Sequence, residues 1–400
     1  MLSREDNELL TRVGPGTPCG ELLRRYWMPV CAAADITDAR PKKRIRVMGE
    51  NLVLFRDGKG RYGLLPEQCP HRNASLYYGF VEEDGLRCAY HGWKFGADGQ
   101  CIDQPFEAPT SALKARACRR SYPVQQMAGL LFAYFGPEPA PLLPRWETCV
   151  RKDGLRSIVV LPVHRCNWLQ AQENSHDPTH TQWLHARMLE RELSGEEKKE
   201  FEVAIAYFGR PIESFEFELC REPAWTGIRK VRTFGGDQPE KELGHPAIFP
   251  HMLVAPQGKP LVVHWRTPVD DENTAIFWLE FVATKDGSTV EQDDSEIPVT
   301  HLAHTLKPNG EYDLTSFMGQ DLMAWETQGR IFDRTRELIG AGDKGVVMYR
   351  KLLKEQILAV QRGEEPTGII RDPKLNEMIR FSQVTSGFMR AAREREEAHH

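Results

Sequence analysis

The 400-residue sequence contains no long uninterrupted run of apolar residues and no block of basic residues. Its longest apolar stretch, Met127 to Gly136, spans about ten residues, whereas a membrane-crossing helix needs roughly 18. Lysine and arginine number 52 against 57 acidic residues, a formal charge of −5. A nucleic acid, which is bound through neutralisation of its phosphates, is therefore not expected as a partner. Because no apolar stretch is long enough to cross one, a membrane is not expected as a partner either.

The cysteines show no paired framework, and the first residues show no apolar core of an export signal. Nine is an odd number of cysteines, and two of them fall in a motif described below. The other seven are Cys19, Cys31, Cys101, Cys118, Cys149, Cys166 and Cys220. Free thiols are typical of a reducing compartment, so we expect a cytoplasmic protein.

Two cysteine–histidine pairs stand close together in the first quarter of the chain. Cys69 and His71 form C-x-H, and after sixteen residues Cys88 and His91 form C-x-x-H. Two thiolates and two imidazoles make a soft, four-ligand metal site. A structural zinc site accepts the same donors, but zinc motifs usually place both cysteines in one loop and both histidines in another. One of each in both loops is typical of a [2Fe–2S] cluster in which one iron takes two cysteines and the other two histidines.

Strand signals surround this motif. Short β-branched or aromatic segments separated by Gly and Asp turns continue to about residue 137 and predict a small antiparallel domain with the metal loops at its hairpin tips. The proline-rich segment 137–146 predicts a domain boundary. Alternating segments within 201–282 predict a larger antiparallel sheet, and helical patterns dominate from about Gly319 to the end. We therefore expect an α+β fold with domains at 1–138 and 139–400.

A second constellation, D-x-x-H-x-x-x-x-H, is formed by Asp177, His180 and His185. On a regular α-helix of 3.6 residues per turn, residues five apart point about 140° away from each other. For both histidines to bind one ion, the helix must widen or break, and Pro178 favours such irregularity. We predict a π-type distortion or a turn between the histidines. Two imidazoles and a carboxylate form the facial triad of non-haem Fe(II), although spacing alone does not identify the carboxylate.

These motifs resemble the α subunit of a Rieske non-haem iron aromatic ring-hydroxylating oxygenase, especially the phthalate 4,5-dioxygenase-like group, which includes aromatic O-demethylases. The resemblance covers nearly the whole chain. It is carried by residues 8–30, the two metal loops, NWLQAQENSHDPTH at 167–180 and QDLMAWETQGRIFDRTRELIGAGD at 320–343. It implies a Rieske domain joined to a larger catalytic domain of helix-grip type.

In that group an aspartate that follows a glutamine supplies the iron-binding carboxylate, which maps onto Asp321. The alternatives for this ligand are Asp313, Glu326 and Asp333.

Asp177 has two interpretations. It could cap a helix just before Pro178, which suits the first helical position. The resemblance implies instead a bridge, in which Asp177 hydrogen-bonds His180 and a cluster histidine (His91 or His71) of the next subunit. The bridge would carry an electron between centres that are too far apart within one chain. It implies a homo-oligomer, either a trimer or a stack of trimers.

The resemblance implies a terminal oxygenase component that uses O₂ to hydroxylate a small aromatic substrate. The expected substrate is an aromatic carboxylate or an aryl ether, and the expected reaction is ring hydroxylation or O-demethylation.

The segment Gly340–Gly345 matches G-x-G-x-x-G but follows a helical pattern, so it is interpreted as a glycine stop between two helices. Electrons are therefore expected from a separate NAD(P)H-dependent reductase that carries flavin, with or without a ferredoxin domain.

Three other functions stay open at this stage: a Rieske-type electron carrier, a zinc-stabilised binding module, and a hydroxylase or desaturase of a non-aromatic hydrophobic substrate. An aromatic carboxylate usually needs a cationic or polar anchor at one end of an apolar pocket. The candidates in the predicted sheet are Arg232, His251, His264 and Arg266. Each of them also fits a purely structural or surface role.

Overall fold

The structure is a computed structural model that describes residues 1–108, 111–236, 239–256, 260–304 and 306–381. The predicted helical character of the last residues, 382–400, lies outside the described residues. No helix in the described part of the chain is both long enough and apolar enough to cross a membrane.

The N-terminal part begins with two short helices, α1 (Arg4–Thr11) and α2 (Pro18–Leu23). The strands that follow are β1 (Met28–Ala32), β2 (Lys42–Val47), β3 (Glu50–Arg56), β4 (Tyr62–Pro66), β5 (Phe80–Glu82), β6 (Gly85–Arg87), β7 (Lys94–Phe95), β8 (Cys101–Asp103), β9 (Val124–Met127) and β10 (Leu130–Ala133). A single helical turn, α3 (Leu113–Arg116), interrupts them. These strands form three small antiparallel sheets in the orders β1-β10-β9, β2-β3-β4 and β5-β6-β7-β8.

The remaining helices are α4 (Glu147–Val150), α5 (Trp168–Asn174), a π-helix (Thr181–Arg187), α6 (Met188–Glu192), α7 (Gly195–Glu200), α8 (Glu202–Phe208), α9 (Phe317–Glu326) and α10 (Lys344–Gln361). The remaining strands are β11 (Gly154–Val160), β12 (Ile212–Glu222), β13 (Trp225–Phe234), β14 (Glu240–Ile248), β15 (Met252–Pro256), β16 (Leu261–Pro268), β17 (Thr274–Ala283) and β18 (Val299–His301). Single 3₁₀ turns lie at Ala33–Asp35, Leu76–Tyr78, Asp294–Glu296, Ala341–Asp343 and Pro373–Asn376.

One large sheet organises the second part of the chain. Its strand order is β12-β13-β14-β15-β16-β17-β11-β18. Every neighbouring pair is antiparallel except β11 with β18, which is parallel. The α+β fold, with a small β domain and a larger domain of antiparallel sheet and helices, is thereby confirmed.

Helices α5 and α9 cover one face of the sheet at β16 and β17. A buried apolar cluster joins Ala171 of α5 and Trp325 of α9 to Val262, Ile276 and Trp278 of those strands. Side chains alternate between the two faces of a strand, and residues paired across antiparallel strands share a face. The even-numbered residues of β16 therefore face the helices, which decides below which polar side chains reach the interior.

Two local predictions are wrong. Residues 202–208, at the start of the predicted strand region, form helix α8 instead. The segment DRTRELI, residues 333–339, has a helical pattern, but the structure shows turns and irregular backbone there. Tertiary contacts override the helical propensity of this segment. The buried guanidinium of Arg334 forms an ion pair with the carboxylate of Glu173, with 2.8 Å between Nη2 and Oε2.

The glycine-rich segment at Gly340 is preceded by no strand and leads through a single 3₁₀ turn into α10. It therefore lacks the strand–loop–helix context of a dinucleotide site.

Candidate metal centres

The two cysteine–histidine loops have matching backbones. The carbonyl of Cys69 accepts a hydrogen bond from the N–H of Asn73 at 2.9 Å, and the N–H of Cys69 donates to the carbonyl of Ala74 at 2.8 Å. Cys88 repeats this pattern with the N–H of Gly92 at 3.0 Å and the carbonyl of Trp93 at 2.8 Å. Each loop is thus a closed turn that begins at its cysteine.

A left-handed residue closes each turn. Asn73 has φ +57° and Gly92 has φ +76°. Glycine adopts this conformation without steric cost, and asparagine is among the few other residues that tolerate it. A side chain at Gly92 would also meet the ring of Pro105 at 3.0 Å. The sharp reversal expected at Gly92 is therefore present, and Asn73 plays the same part in the first loop.

The four side chains of these loops converge. The rings of His71 and His91 lie 4.4 Å apart, and the ring of Trp93 stacks on His71 at 4.6 Å. Both cysteines are buried, Cys69 to 1% exposure, whereas His71 is exposed. Two sulfur donors inside and two imidazoles at the tip match the donor set of a Rieske cluster.

The electrostatics of the cysteines also fit a metal. Burial raises the pKa of the Cys69 thiol to about 11, and Cys88 beside it acts in the same direction. A thiolate at Cys69 would therefore need a positively charged partner, because a buried charge without one is costly. A metal centre with its positive charge would supply that partner.

The second constellation comes together from the start of the π-helix and from α9. The ligand atoms of His180, His185 and Asp321 all lie within 4.8 Å of one another. His180 stands directly before the π-helix, His185 lies inside it, and Asp321 is on α9. The structure therefore groups the two histidines with the carboxylate that the family resemblance selected.

The π-helix explains how histidines five residues apart can bind one ion. A π-helix hydrogen-bonds from residue i to i+5, so such residues return to one face. The rings of His180 and His185 are 5.1 Å apart at 77° to each other. The predicted distortion of the helix is confirmed.

Gln320 fixes the orientation of His185. The amide nitrogen of Gln320 donates to the carbonyl of Leu314 at 2.8 Å, so its amide oxygen faces Nδ1 of His185 at 2.9 Å. Nδ1 of His185 must then carry the proton, which leaves Nε2 unprotonated and 3.5 Å from Oδ1 of Asp321. Burial lowers the pKa of His185, which keeps its ring neutral, as a metal ligand must be.

Asp177 contacts the other histidine. Its Oδ2 lies 3.4 Å from Nδ1 of His180, and its Oδ1 accepts from both the N–H and the hydroxyl of Thr179 at 2.7 Å. Burial alone would raise the pKa of Asp177, but the contact with His180 and the two donors of Thr179 outweigh it and hold the pKa well below its usual range. The turn-forming role and the contact with His180 therefore coexist in one side chain.

The alternative carboxylates are engaged elsewhere. Asp313 accepts hydrogen bonds from Thr315. Asp333 accepts them from Thr335. Glu326 accepts from the N–H of Arg165 at 2.6 Å.

Sequence reasoning missed three residues of the site: Gln320, Thr179 and Asn174, whose amide nitrogen lies 3.5 Å from Oδ1 of Asp321. No spacing rule identifies Gln320 as a partner of His185, because 135 residues separate them. Thr179 lies inside the D-x-x-H motif and Asn174 lies three residues before it, so nearness to the motif was the only signal that the sequence offered.

The suggested substrate anchors separate into two kinds. Arg232 is neutralised by Glu242, with contacts of 2.9 and 3.0 Å, and is structural. His251, His264 and Arg266 are buried, and each keeps ring or guanidinium nitrogens without a hydrogen-bond partner among the described residues.

Comparison with known proteins agrees with this geometry. Residues 26–123 match the family model of the Rieske [2Fe-2S] domain, and residues 304–388 match the model described as LigXa C-terminal domain like. The first match contains all four residues of the loop site, and the second contains Asp321.

Related proteins cover nearly the whole chain. The oxygenase subunit of 5,5'-dehydrodivanillate O-demethylase from Sphingobium sp. is 40% identical over 390 residues, which is 95% of this chain and 86% of that protein. The phthalate 4,5-dioxygenase oxygenase subunit of Pseudomonas putida is 30% identical over 92% of this chain and 89% of its own. The tert-butanol monooxygenase / tert-amyl alcohol desaturase oxygenase subunit of Aquincola tertiaricarbonis is 35% identical over 87% and 76%.

The chain belongs to the Rieske non-haem iron oxygenases, in the group of aromatic ring-hydroxylating α subunits that resemble phthalate 4,5-dioxygenase. It is an oxidoreductase whose family uses a [2Fe–2S] cluster, a mononuclear iron centre and O₂.

Proposed function

We propose that this protein is the terminal oxygenase that hydroxylates an aromatic acid or an aryl ether. The observation that carries the proposal is the grouping of His180, His185 and Asp321 in a chain that also holds a Rieske donor set. A protein that only carried electrons would have no use for a second, buried metal site. The similarity to an O-demethylase and to a phthalate dioxygenase supports an aromatic acid or ether as the substrate.

Each metal-binding residue has a proposed role. Cys69, His71, Cys88 and His91 hold the [2Fe–2S] cluster. His180, His185 and Asp321 hold Fe(II), which supplies O₂ activation when bound.

Neighbouring residues keep the iron ligands in place. Gln320 holds His185 in the tautomer that presents a free Nε2, and the carboxylate of Asp177 lies 3.4 Å from Nδ1 of His180. Trp325, one turn after Asp321 on α9, is 2% exposed and helps to exclude water from the interior.

We infer that electrons pass between subunits. Asp177 would link His180 to His91 or His71 of a neighbouring subunit, in a homo-oligomer that is a trimer or a stack of trimers. The exposed tip of the loop site supports this, since Tyr90 beside His91 is 57% exposed. The electrons come from a separate NAD(P)H-dependent reductase. We place the Rieske part at residues 1–138 and the catalytic part at 139–400, in a cytoplasmic protein.

The test is a substrate screen with the purified holoenzyme and a reductase, following O₂ uptake and product together. Formaldehyde would identify an O-demethylase, and a cis-diol would identify a ring dioxygenase. Aliphatic alcohols belong in the screen because of the tert-butanol monooxygenase relative. Turnover of aliphatic compounds alone would refute the aromatic assignment. A protein that is reduced but never consumes O₂ would be an electron carrier, and a colourless zinc protein would be a binding module.

A further inference from the structure

The side chain of Arg266 is buried without a charge partner. It is 1% exposed, and its Nε and Nη1 have no hydrogen-bond partner among the described residues. Burial lowers the pKa of Arg266 to about 10, with Asp321 and Tyr349 acting in the opposite direction. Because that value is still far above neutral pH, the guanidinium stays charged. A buried charge without a partner is costly, so its presence requires an explanation.

Other buried arginines in the described residues are paired. Arg334 lies 2.8 Å from Glu173, and Arg350 lies 2.6 Å from the same carboxylate. Arg232, a half-buried arginine on the same sheet as Arg266, contacts Glu242 at 2.9 Å. The buried Arg156 donates instead to the backbone carbonyls of Thr148 and Arg151. These arginines therefore have acceptors that the chain itself supplies, whereas Nε and Nη1 of Arg266 have none among the described residues.

Arg266 lies beside the proposed iron site. It is on the face of β16 that α5 and α9 cover, and its guanidinium carbon is 6.0 Å from the centre of the Trp325 ring. Trp325 and Asp321 are four residues apart on α9, so they share a helix face one turn apart. The charge of Asp321 also acts on Arg266, so the guanidinium lies in the neighbourhood of the metal-binding carboxylate.

The histidines near Arg266 are polar but uncharged. Burial lowers the pKa of His251 to about 4 and lowers that of His264 well below its usual range, and the charge of Arg266 acts in the same direction. Both rings are therefore neutral near pH 7 and offer nitrogen atoms for hydrogen bonds without adding positive charge. His176 is also buried, and neither of its ring nitrogens has a hydrogen-bond partner among the described residues. Several unpaired donors and acceptors around one cation indicate a polar ligand site rather than a closed apolar core.

The charge balance requires an anion. Asp321 is the carboxylate that acts on Arg266, yet it would be an iron ligand together with His180 and His185. An ion bound there would take up the charge of Asp321 and leave Arg266 without a carboxylate partner among the described residues. An incoming carboxylate would supply one, and guanidinium binds carboxylates through two parallel hydrogen bonds.

We propose that Arg266 binds the carboxylate of an aromatic acid substrate and so sets which part of the ring faces the iron ligands. This inference rests on the proposed oxygenase function and narrows its substrate class from acids and ethers to acids. The aromatic ring would extend from Arg266 past Trp325 towards Asp321. A neutral ether without an acidic group would leave the guanidinium unpaired and bind weakly.

The test compares acids with their esters. Binding of 4-methoxybenzoate and biphenyl-4-carboxylate, each beside its methyl ester, is measured by calorimetry on iron-loaded holoenzyme without reductant. For wild type, at least one acid is expected to bind roughly tenfold or more tightly than its ester. Arg266→Met is expected to weaken that acid roughly 10- to 100-fold and to leave the ester within a factor of about three. Arg266→Lys keeps the charge and should recover part of the loss.

Arg232→Met is the control, because it removes a half-buried arginine of the same sheet that already has a carboxylate partner. This variant should still bind the acid more tightly than the ester, even if its melting temperature changes. Iron content and melting temperature show whether each variant has folded and loaded.

Equal affinity of wild type for acids and esters, no acid binding, or loss of acid and ester alike in Arg266→Met would overturn the role of Arg266. Failure of the proposed function has a different signature. If an acid binds through Arg266 but neither O₂ uptake nor product follows, the oxygenase assignment fails and the Arg266 site stands. If neutral ethers are turned over and acids are not, the oxygenase assignment stands and the role of Arg266 fails.

Discussion

The two metal-binding regions are built in opposite ways. The Rieske site takes its four ligands from two short turns between Cys69 and His91, and its histidine side faces the surface. The second site takes its ligands from a π-helix and from α9, and His185 in it is only 7% exposed. An electron entry point must be reachable by another protein, whereas a site that activates O₂ must exclude water. Local loops suit the first requirement and long-range packing suits the second.

Asp321→Ala should break this contrast most severely, because it removes one iron ligand and leaves the Rieske loops untouched. We expect iron to fall from about three to about two atoms per chain, with the cluster spectrum intact. Product formation should be lost by a factor of at least about 100, as expected when a metal ligand is removed. Iron and sulfide analysis with electron paramagnetic resonance checks this. Asp313→Ala is the control and should keep the third iron, and retention of that iron in Asp321→Ala would refute the assignment.

Asp177→Asn tests whether the two regions work as a pair. The amide keeps the size of the side chain but removes the charge that contacts His180. Both metal centres should stay bound, while turnover should fall roughly 10- to 100-fold or more. Thr179→Val removes one donor to Asp177 and should have a smaller effect in the same direction. Stopped-flow reduction followed by single-turnover product analysis measures the defect, and normal turnover in Asp177→Asn would exclude the bridge between subunits.

Gln320→Leu sharpens the comparison further, because it affects only the buried site. Without the acceptor for its Nδ1, His185 loses its fixed tautomer, and iron affinity should fall roughly 10-fold. Gln320→Glu keeps an acceptor and should bind iron more tightly than the leucine variant. Competition with a chelator measures both, with the cluster absorbance as internal reference. Equal iron loss from wild type and Gln320→Leu would show that Gln320 does not position His185.

The smallest expected effect is on stability and comes from the side-chain ammonium group of Lys230. Burial lowers the pKa of Lys230 from 10.5 to about 8, so the unfolded chain binds a proton that the folded chain releases between those values. The free energy of unfolding contributed by this group therefore rises as pH increases through that window, by about 3 kcal/mol. Lys230→Met should accordingly raise the melting temperature more at pH 7.5 than at pH 10. A difference between the two proteins that does not change with pH would contradict the lowered pKa.

The regions also differ in how far their structure could be predicted from sequence. The Rieske loops were predictable because their ligands and turn residues are neighbours in the chain. The π-helix was predictable because five-residue spacing conflicts with α-helical geometry. The partnership of Gln320 with His185 depends on how α9 packs, and no local pattern carries that information.

The same limit applies to Arg266. In the sequence it resembles Arg232, and only the fold shows that Arg232 is half-buried beside a carboxylate whereas Arg266 is buried without one. Helix α8 was mistaken for part of the sheet region, because short apolar segments satisfy both helical and strand patterns.

The most direct test of the account is anomalous diffraction at the iron edge from crystals of the holoenzyme. The account predicts a paired peak between the side chains of Cys69, His71, Cys88 and His91, and a separate single peak in contact with His180, His185 and Asp321. A crystal with the paired peak but no iron at the second position, or with iron held there by other residues, would contradict it.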